Sequence, residues 1–144
     1  LRIKEDSVRY MGRVSTGIKG MKLLEGDEIA AAVKVDTEKA IILLTEKGVG
    51  KRISPEYFSV HGRGTAGQRI FGNTDGKGEI IGAINAKEND EVVCMTSQGK
   101  TLRFKASEIK EQGQSASGVK IVTIKEPDYL VGIDVVQDKD EENK

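Results

Sequence analysis

A short glycine motif recurs three times along this sequence at an almost constant spacing. Residues 12–23 read GRVSTGIKGMKL, residues 62–73 read GRGTAGQRIFGN and residues 113–124 read GQSASGVKIVTI. Each copy has a glycine at its first and sixth positions and a cation at its eighth, and the copies start 50 and then 51 residues apart. A fixed period of this size predicts repeated supersecondary units that bury their apolar faces against one another.

The same period appears outside the motif. Gly48 and Gly99 are 51 residues apart, and so are Arg52 and Arg103. The chain begins in mid-pattern, so we expect it to be a piece of a longer polypeptide. We divide it into the end of a preceding unit (1–11), a first repeat (12–61), a second repeat (62–112), a partial third repeat (113–137) and an acidic tail (138–144).

Each repeat contains short apolar runs separated by polar, glycine-containing turns, a pattern that predicts β-strands. No stretch keeps a 3.6-residue apolar period, and only residues 54–59 and 106–112 hint at a turn of helix. The predicted fold is therefore all-β, with propeller-like blades of four antiparallel strands and one blade per repeat. Strands are predicted over residues 18–23, 28–35, 40–45 and 49–53, over 68–71, 79–86, 91–96 and 101–104, and over 119–124 and 129–136.

Small residues fall in register inside one strand of each repeat, at Ala31, Gly82 and Gly132. We interpret them as places where blades converge and backbones come close. The alternative is ordinary tolerance of glycine within a strand.

The composition restricts the core and the compartment. Aromatic residues make up 4% of the chain and tryptophan is absent, so the core must consist of Ile, Val, Leu and Ala. The single cysteine, Cys94, excludes an intrachain disulfide and lies in the apolar run VVCM, where a buried thiol behaves as a small hydrophobic group. The sequence shows no signal peptide and no membrane-spanning run, so we expect a cytoplasmic location and no membrane partner.

Net charge alone gives little sign of a nucleic-acid partner, because the formal net charge is zero. Residues 138–144 carry four acidic residues against two lysines, a net of −2 that leaves +2 on the rest of the chain. The basic residues therefore matter only if they share one surface. The acidic tail either competes with a polyanion for that surface or simply aids solubility.

Ten cations occupy equivalent places near the starts of repeats or the ends of hairpins. A rotation from one repeat to the next would place them along one curved rim, where they could meet successive phosphates of a bent duplex without reading its bases. The alternative is that they are ordinary solvated charges, and the acidic residues between them lower the expected affinity. These predicted DNA-binding residues are Arg13, Lys19, Lys22, Lys51, Arg52, Arg63, Arg69, Lys100, Arg103 and Lys120.

Three segments carry a resemblance to a known family. They read VRYMGRVSTGIKGMKLLEGDEI, TEKGVGKRISPEYF and GVKIVTIKEPDYLVGIDVV, in that order, and an acidic tail follows. Together they resemble the C-terminal domain of the DNA gyrase A subunit, and the topoisomerase IV counterpart is a close relative. The recurrent start of each unit, GR followed by three residues and G, is the strongest element of this similarity.

The resemblance implies a β-pinwheel, a six-bladed propeller variant whose blades exchange strands and whose basic outer rim wraps duplex DNA. This chain resembles the last two blades with parts of the flanking structure. In the family, wrapping supports negative supercoiling by an ATP-dependent type II topoisomerase. The resemblance thus implies a bacterial, nucleoid-associated protein that works with duplex DNA, the remaining blades, the breakage-reunion domain and the gyrase B subunit. Self-association of the fragment is an open alternative.

Two departures concern the family's functional residues. The short Gln/Arg/Gly/Lys-rich box of the first blade has no counterpart here, since GKG at residues 76–78 lies in an acidic-flanked turn. The catalytic tyrosine belongs to a part of the family outside this chain, and we interpret Tyr10, Tyr57 and Tyr129 as packing residues. The sequence does not distinguish gyrase from topoisomerase IV as the parent enzyme.

No catalytic, metal or cofactor site is predicted within the chain. His61, the single histidine, has no Cys, Asp or second His at metal-ligand spacing. Asp27 and Glu28 have no nucleophile or base beside them, and no glycine-rich stretch opens a helix as a phosphate-binding loop does. The predicted function is a non-catalytic DNA-wrapping module, and the alternative is a propeller-type scaffold for protein partners.

Overall fold

Two β-hairpins, one in each of the first two repeats, form the centre of the structure. In the computed structural model, which describes residues 1–136, Gly48 and Gly99 close these hairpins with φ angles of 78° and 77°. Glycine adopts such angles without steric cost. The first hairpin consists of β1 (Ala40–Thr45) and β2 (Val49–Ile53), and the second consists of β4 (Glu91–Thr96) and β5 (Thr101–Lys105).

Three further strands join these hairpins from later repeats. They are β3 (Ile80–Ala86), β6 (Val119–Lys120) and β7 (Leu130–Val136). The helical hints in the sequence correspond to single 3-10 turns, Pro55–Tyr57 and Ala106–Glu108, and a third such turn spans Glu5–Ser7. Residues 1–136 contain no α-helix.

The strands form two antiparallel sheets that cross the repeat boundaries. The first has the order β3-β1-β2-β6 and the second has the order β5-β4-β7. The prediction of an all-β fold with antiparallel blades is confirmed. The strand exchange that the resemblance implies is also present, because β3 pairs with β1 and β7 pairs with β4. The prediction that each repeat forms its own sheet is wrong.

The exchange explains why some predicted strands are missing. Segments 18–23, 28–35 and 68–71 are not strands, and 119–124 is shortened to Val119–Lys120. The second strand of a repeat joins the hairpin of the preceding repeat, as β3 does, and the first strand joins the hairpin two repeats earlier, as β6 does. Within residues 1–136 no hairpin stands where this rule would place the partners of the three missing strands, so these backbones have no ladder to join there.

β1 divides its side chains between two core clusters. Ile42 packs with Val92 of the second sheet, whereas Ile41 points to the opposite face and packs with Phe71 of the second motif. β1 is therefore buried on both faces, as its unbroken apolar run predicts. The predicted burial of Cys94 is also confirmed, since this residue is 1% exposed. Burial raises the pKa of the Cys94 thiol.

Close approach of the sheets is seen at one of the three small residues. A Cβ on Gly82 would lie 2.6 Å from Cγ2 of Ile133 in β7, so a larger residue would force the sheets apart. At Gly132 an added Cβ would have no atom within 4 Å, and Ala31 is exposed. The prediction of blade convergence therefore holds for Gly82 and is wrong for the other two positions within this structure.

The tyrosines are more exposed than predicted. Tyr10 is fully exposed, and Tyr57 and Tyr129 are 45% and 48% exposed. The packing interpretation is wrong for Tyr10 within residues 1–136, where neither sheet covers the segment around it.

Candidate nucleic-acid interface

The three glycine motifs contact one another in sequence order. The amide of Lys22 in the first motif donates to the carbonyl of Thr65 in the second at 3.0 Å. The equivalent bond, from the amide of Gly72 to the carbonyl of Ala116 at 3.1 Å, joins the second motif to the third. The motifs thus form one continuous band, which we call the motif band (residues 12–23, 62–73 and 113–124).

The sixth glycine of each motif has the same backbone conformation. Gly17, Gly67 and Gly118 have φ angles of 79°, 80° and 76°, in the left-handed region that favours glycine. The backbone therefore turns in the same way two residues before the cation in every copy.

Six of the predicted cations lie in the motif band, and all six side chains are exposed. Arg63 is additionally fixed beside Lys19, because its Nε donates to the carbonyl of Ser7 at 3.2 Å and its Nη1 to the carbonyl of Lys19 at 3.4 Å. The band therefore brings cations from the three repeats onto connected loops. The six are Arg13, Lys19, Lys22, Arg63, Arg69 and Lys120.

Two further predicted cations lie on the second hairpin and are paired with acids. Lys100 is exposed, but its Nζ lies 3.2 Å from Oδ2 of the buried Asp128. Arg103 on β5 forms an ion pair with Glu91 on β4. Because each positive charge has a carboxylate beside it, this hairpin offers less net attraction to phosphate than the motif band.

Arg52 is largely withdrawn from solvent. Its side chain is 12% exposed, and its Nη2 lies 3.8 Å from Oε1 of Glu88. The buried Nε of Arg52 has no hydrogen-bond partner among the described residues. A contact between this guanidinium and a phosphate would require local rearrangement.

The assignment of Lys51 to the DNA-binding set conflicts with its burial. Lys51 is 0% exposed, and its Nζ donates to the carbonyls of Ile70 at 2.6 Å, Gln114 at 2.8 Å and Ala116 at 3.0 Å. The ammonium also lies 5.6 Å from the centre of the Phe71 ring. Burial lowers the pKa of Lys51.

The reason for this burial is the pleat of β2. Lys51 is paired with Leu43, whose face of the sheet is covered by the second motif. Leu102 stands 51 residues later, at the equivalent place in β5. That apolar counterpart is the one sequence signal that position 51 faces inward.

Lys77 is a cation that sequence reasoning passed over. Its Nζ donates to the carbonyl of Asn73 at 2.7 Å and to the carbonyl of Ser117 at 2.8 Å, so it ties the turn after the second motif to the third motif. No spacing in the sequence marks it, because it lies outside the repeated motif.

An open groove of about 510 Å³ lies between the second and third motifs. It is lined by Tyr57, Arg69, Phe71 and Gln114, among others. The half-exposed ring of Tyr57 near the exposed Arg69 provides a stacking surface and a positive charge in one place. Stacking on such a ring requires unpaired bases, so towards a duplex the groove offers mainly the positive charge of Arg69 for phosphate.

Asp128 organises the loop of the second hairpin. Its Oδ1 accepts hydrogen bonds from Oγ of Ser97 at 2.9 Å and from the amides of Gln98 at 3.2 Å and Tyr129 at 3.0 Å. Burial raises the pKa of this carboxyl, but the hydrogen bonds to it, including that from Lys100, outweigh burial and lower the pKa to about 2. The carboxylate is therefore a structural anion that also holds Lys100.

We expect this pairing to make stability depend on acid pH. The folded pKa of Asp128 lies below its ordinary value of 3.8, so its contribution is fully present above that value and is lost as pH falls towards about 2. Asp128→Asn should flatten the loss of thermal stability over that range, as followed by circular dichroism. Asp134→Asn, at an exposed position on β7, is the matched control. An unchanged acid limb in Asp128→Asn would contradict the assignment.

Two kinds of site are not seen in the part of the chain that the structure describes. Residues 1–136 contain no group of three or more His, Cys, Asp or Glu side chains placed to hold a metal ion. Over the same residues, no helix is long and apolar enough to cross a bilayer. The acidic tail lies outside the described residues.

Sequence comparison places almost the whole chain in one family. Residues 1–36, 39–87 and 90–137 match the family described as DNA gyrase C-terminal domain, beta-propeller. The A subunit of Escherichia coli (strain K12) DNA gyrase is 32% identical over 144 residues, which cover 99% of this chain and 16% of that protein. Its counterpart from Salmonella typhimurium (strain LT2) is 32% identical over 133 residues, 92% of this chain and 15% of that protein. The chain thus spans less than a fifth of these relatives.

Solved structures show the same fold. A DNA gyrase A C-terminal domain superimposes with a TM-score of 0.79 and 32% identity, covering 90% of this chain and 44% of that one. The C-terminal domain of DNA topoisomerase IV superimposes with a TM-score of 0.84 and 22% identity, covering 94% of this chain and 42% of that one. The predicted resemblance is confirmed, and this chain belongs to the family of DNA gyrase C-terminal, β-propeller domains.

Proposed function

We propose that this chain is a non-catalytic module that binds and wraps duplex DNA along its motif band, within the A subunit of a type II topoisomerase. The observation that carries the proposal is the bonding of three motifs in sequence order, each presenting exposed cations at equivalent places. The family and the gyrase relatives support it. In the full enzyme, wrapping by this module would support negative supercoiling, whereas strand passage and ATP hydrolysis would belong to the breakage-reunion domain and the gyrase B subunit.

The charge arrangement favours contacts with the DNA backbone rather than with bases. Loops that bear one to three cations per repeat can neutralise phosphates at intervals along a bent duplex. No helix is available in residues 1–136 to enter the major groove. Any preference between sequences should therefore come from DNA deformability, and binding should weaken steeply with salt.

A triple substitution tests the motif band with one change in each motif. Lys22, Arg69 and Lys120 are suitable because, within residues 1–136, none of their side chains makes a hydrogen bond or ion pair. Changing all three to Gln should weaken duplex binding at least tenfold at about 0.1 M salt and reduce the slope of log K against log salt by about 2–3. Fluorescence anisotropy with a labelled duplex across a salt series measures both quantities.

The control removes the same number of positive charges from other places. Lys39, Lys100 and Arg103 each lie in an ion pair outside the motif band. Their triple change to Gln should alter the salt slope by less than about 1. Equal losses in both triple variants would contradict the motif band as the contact surface.

A plasmid relaxation assay tests wrapping separately from binding. The chain is added to a closed plasmid while a type I topoisomerase relaxes it, and protein is then removed. Wrapping should leave a linking-number difference that grows with the protein-to-DNA ratio and is reduced in the motif-band variant. Binding without any such difference would contradict the wrapping part of the proposal.

A further inference from the structure

Two equivalent joints connect the three motifs of the motif band. In each joint, the second residue of a motif donates a side-chain hydrogen bond to the carbonyl of the eighth residue of the preceding motif. In the first joint, Nη1 of Arg63 donates to the carbonyl of Lys19 at 3.4 Å. In the second joint, Nε2 of Gln114 donates to the carbonyl of Arg69 at 2.9 Å. The two joints can therefore be compared residue by residue.

The side chain of Arg63 spans the first joint. Its Nε also donates to the carbonyl of Ser7 at 3.2 Å, so the guanidinium bridges two backbones. Tyr57 is the equivalent of Ser7 in the second joint, because each is the last residue of an equivalent 3-10 turn. The carbonyl of Tyr57 instead accepts Nε2 of Gln68 at 2.6 Å. Within residues 1–136 no side chain bridges the second joint as Arg63 bridges the first, and the groove of about 510 Å³ lies there.

The ring of Tyr57 forms one wall of this groove. A Cβ on Gly113 would lie 3.7 Å from the phenolic oxygen and 3.8 Å from Cε1, so the missing side chain at Gly113 leaves the ring uncovered. Tyr57 is 45% exposed, and Glu108, the last residue of the following equivalent turn, is exposed as well. This place therefore faces solvent in both repeats. An exposed ring on an ordered backbone is a surface on which a base can stack.

Polar groups beside the ring suit the rest of a nucleotide. The side chain of Arg69 is exposed and makes no hydrogen bond or ion pair within residues 1–136, so it is available to a phosphate. Gln114 uses its Nε2 on the carbonyl of Arg69, whereas its Oε1 has no partner among the same residues. That oxygen can accept a hydrogen bond from an N–H group of a base.

We propose that this groove binds one unpaired base of a DNA strand, stacked on the ring of Tyr57, while Arg69 contacts an adjacent phosphate. The proposal rests on the DNA-binding function above and adds a preference that phosphate contacts alone cannot give. A base within a paired, stacked duplex has no free face for the ring, and extruding it costs free energy. The site should therefore select DNA in which a base is already unpaired.

Three labelled DNA probes of otherwise identical sequence test this preference. One is a fully paired duplex, the second has one extra thymidine in the middle of one strand, and the third has an abasic nucleotide in place of that thymidine. The abasic probe controls for the added flexibility of the duplex, which alone eases bending. Fluorescence anisotropy should show the thymidine probe binding about tenfold more tightly than the abasic probe.

Two variants at the ring assign the preference to Tyr57. Tyr57→Leu should reduce the ratio of the two dissociation constants to below about twofold, because leucine has no flat face for a base. Tyr57→Phe should keep the ratio, since the phenolic oxygen makes no hydrogen bond within residues 1–136. Tyr129→Leu is the matched control, because Tyr129 is 48% exposed but lies outside the motif band, and it should also keep the ratio.

A third variant blocks the groove and leaves the tyrosine in place. Gly113→Leu should lose the thymidine preference, because its side chain would extend along the ring. Gly62→Leu is its control, since Gly62 is the first residue of the second motif and an added Cβ there has no atom within 4 Å. Circular dichroism should show that all variants are folded.

The paired probe separates failure of this site from failure of duplex binding. Equal binding of the thymidine and abasic probes by the original chain would overturn the nucleotide site, even where the paired duplex is bound. A thymidine preference that survives in both Tyr57→Leu and Gly113→Leu would also overturn it. A chain that binds none of the three probes would overturn both this site and the motif band as a DNA-binding surface.

Discussion

Replacing Lys51 with methionine is expected to lower the free energy of unfolding by about 2–4 kcal/mol. Methionine keeps the length of the apolar stem but removes the ammonium that three carbonyls share. The carbonyl of Ala116 keeps a second donor, the amide of Gly72, whereas those of Ile70 and Gln114 lose a buried partner. A buried acceptor without a partner costs about 1–3 kcal/mol.

Guanidinium chloride unfolding, followed by circular dichroism, measures this loss. Leu102→Met is the matched control, because it introduces the same side chain at the equivalent position of β5, where the leucine side chain has no hydrogen-bonding group to lose. Its expected cost is below about 1.5 kcal/mol. If the two variants lost equal stability, the carbonyl contacts of Lys51 would not explain its burial.

A methyl group on Gly48 should be far more damaging than the same methyl group on Gly99. Both glycines close a hairpin at nearly the same φ, so alanine at either position pays about 1–2 kcal/mol for the left-handed conformation. At Gly48 the added Cβ would also meet the carbonyl of Val122 at 2.3 Å, and this backbone cannot rotate away. The overlap should add about 1–3 kcal/mol.

Thermal and denaturant unfolding of Gly48→Ala and Gly99→Ala measure this difference directly, because the conformational cost cancels between them. The difference between the two variants in free energy of unfolding measures the contact between the first hairpin and the third motif. Equal destabilisation would mean that β6 is not held against β2 in solution.

The sequence predicts the hairpins well because their determinants are local. The strands of the first hairpin are read correctly from the apolar run AIILLT and the glycine at position 48, all within a few residues of one another. The second hairpin repeats the pattern around Gly99. Turn conformation and strand length depend on adjacent residues, so periodicity is enough to place them.

Strand partners could not be predicted in the same way. β3 pairs with β1 across about 40 residues, and β6 pairs with β2 across about 70, and no local pattern distinguishes these partners from a strand of the same repeat. The apolar pattern of residues 28–35 resembles that of β3, yet it forms no strand, because a strand exists only where a ladder is available.

The candidate site likewise has one part that the sequence predicts and one part that it does not. Exposure of the motif cations follows from their position in polar loops and was predictable. The surroundings of Arg103 and Lys51 depend on groups that other segments supply. Arg103 meets the carboxylate of Glu91 across the hairpin, and Lys51 meets backbone carbonyls of two later motifs. The repeat period alone predicts that both side chains are exposed cations. Only the tertiary contacts show that one is ion-paired and the other is buried.

Strand exchange also sets the order in which the molecule can be completed on the ribosome. The first hairpin is made by residue 53, but its sheet gains β3 only after residue 86 and β6 only after residue 120. The nascent hairpin therefore has an open edge on each side until residue 86 and on the β2 side until residue 120, which is the condition in which unpaired strands meet wrong partners. Translation speed between residues 53 and 120 therefore determines how long this exposure lasts.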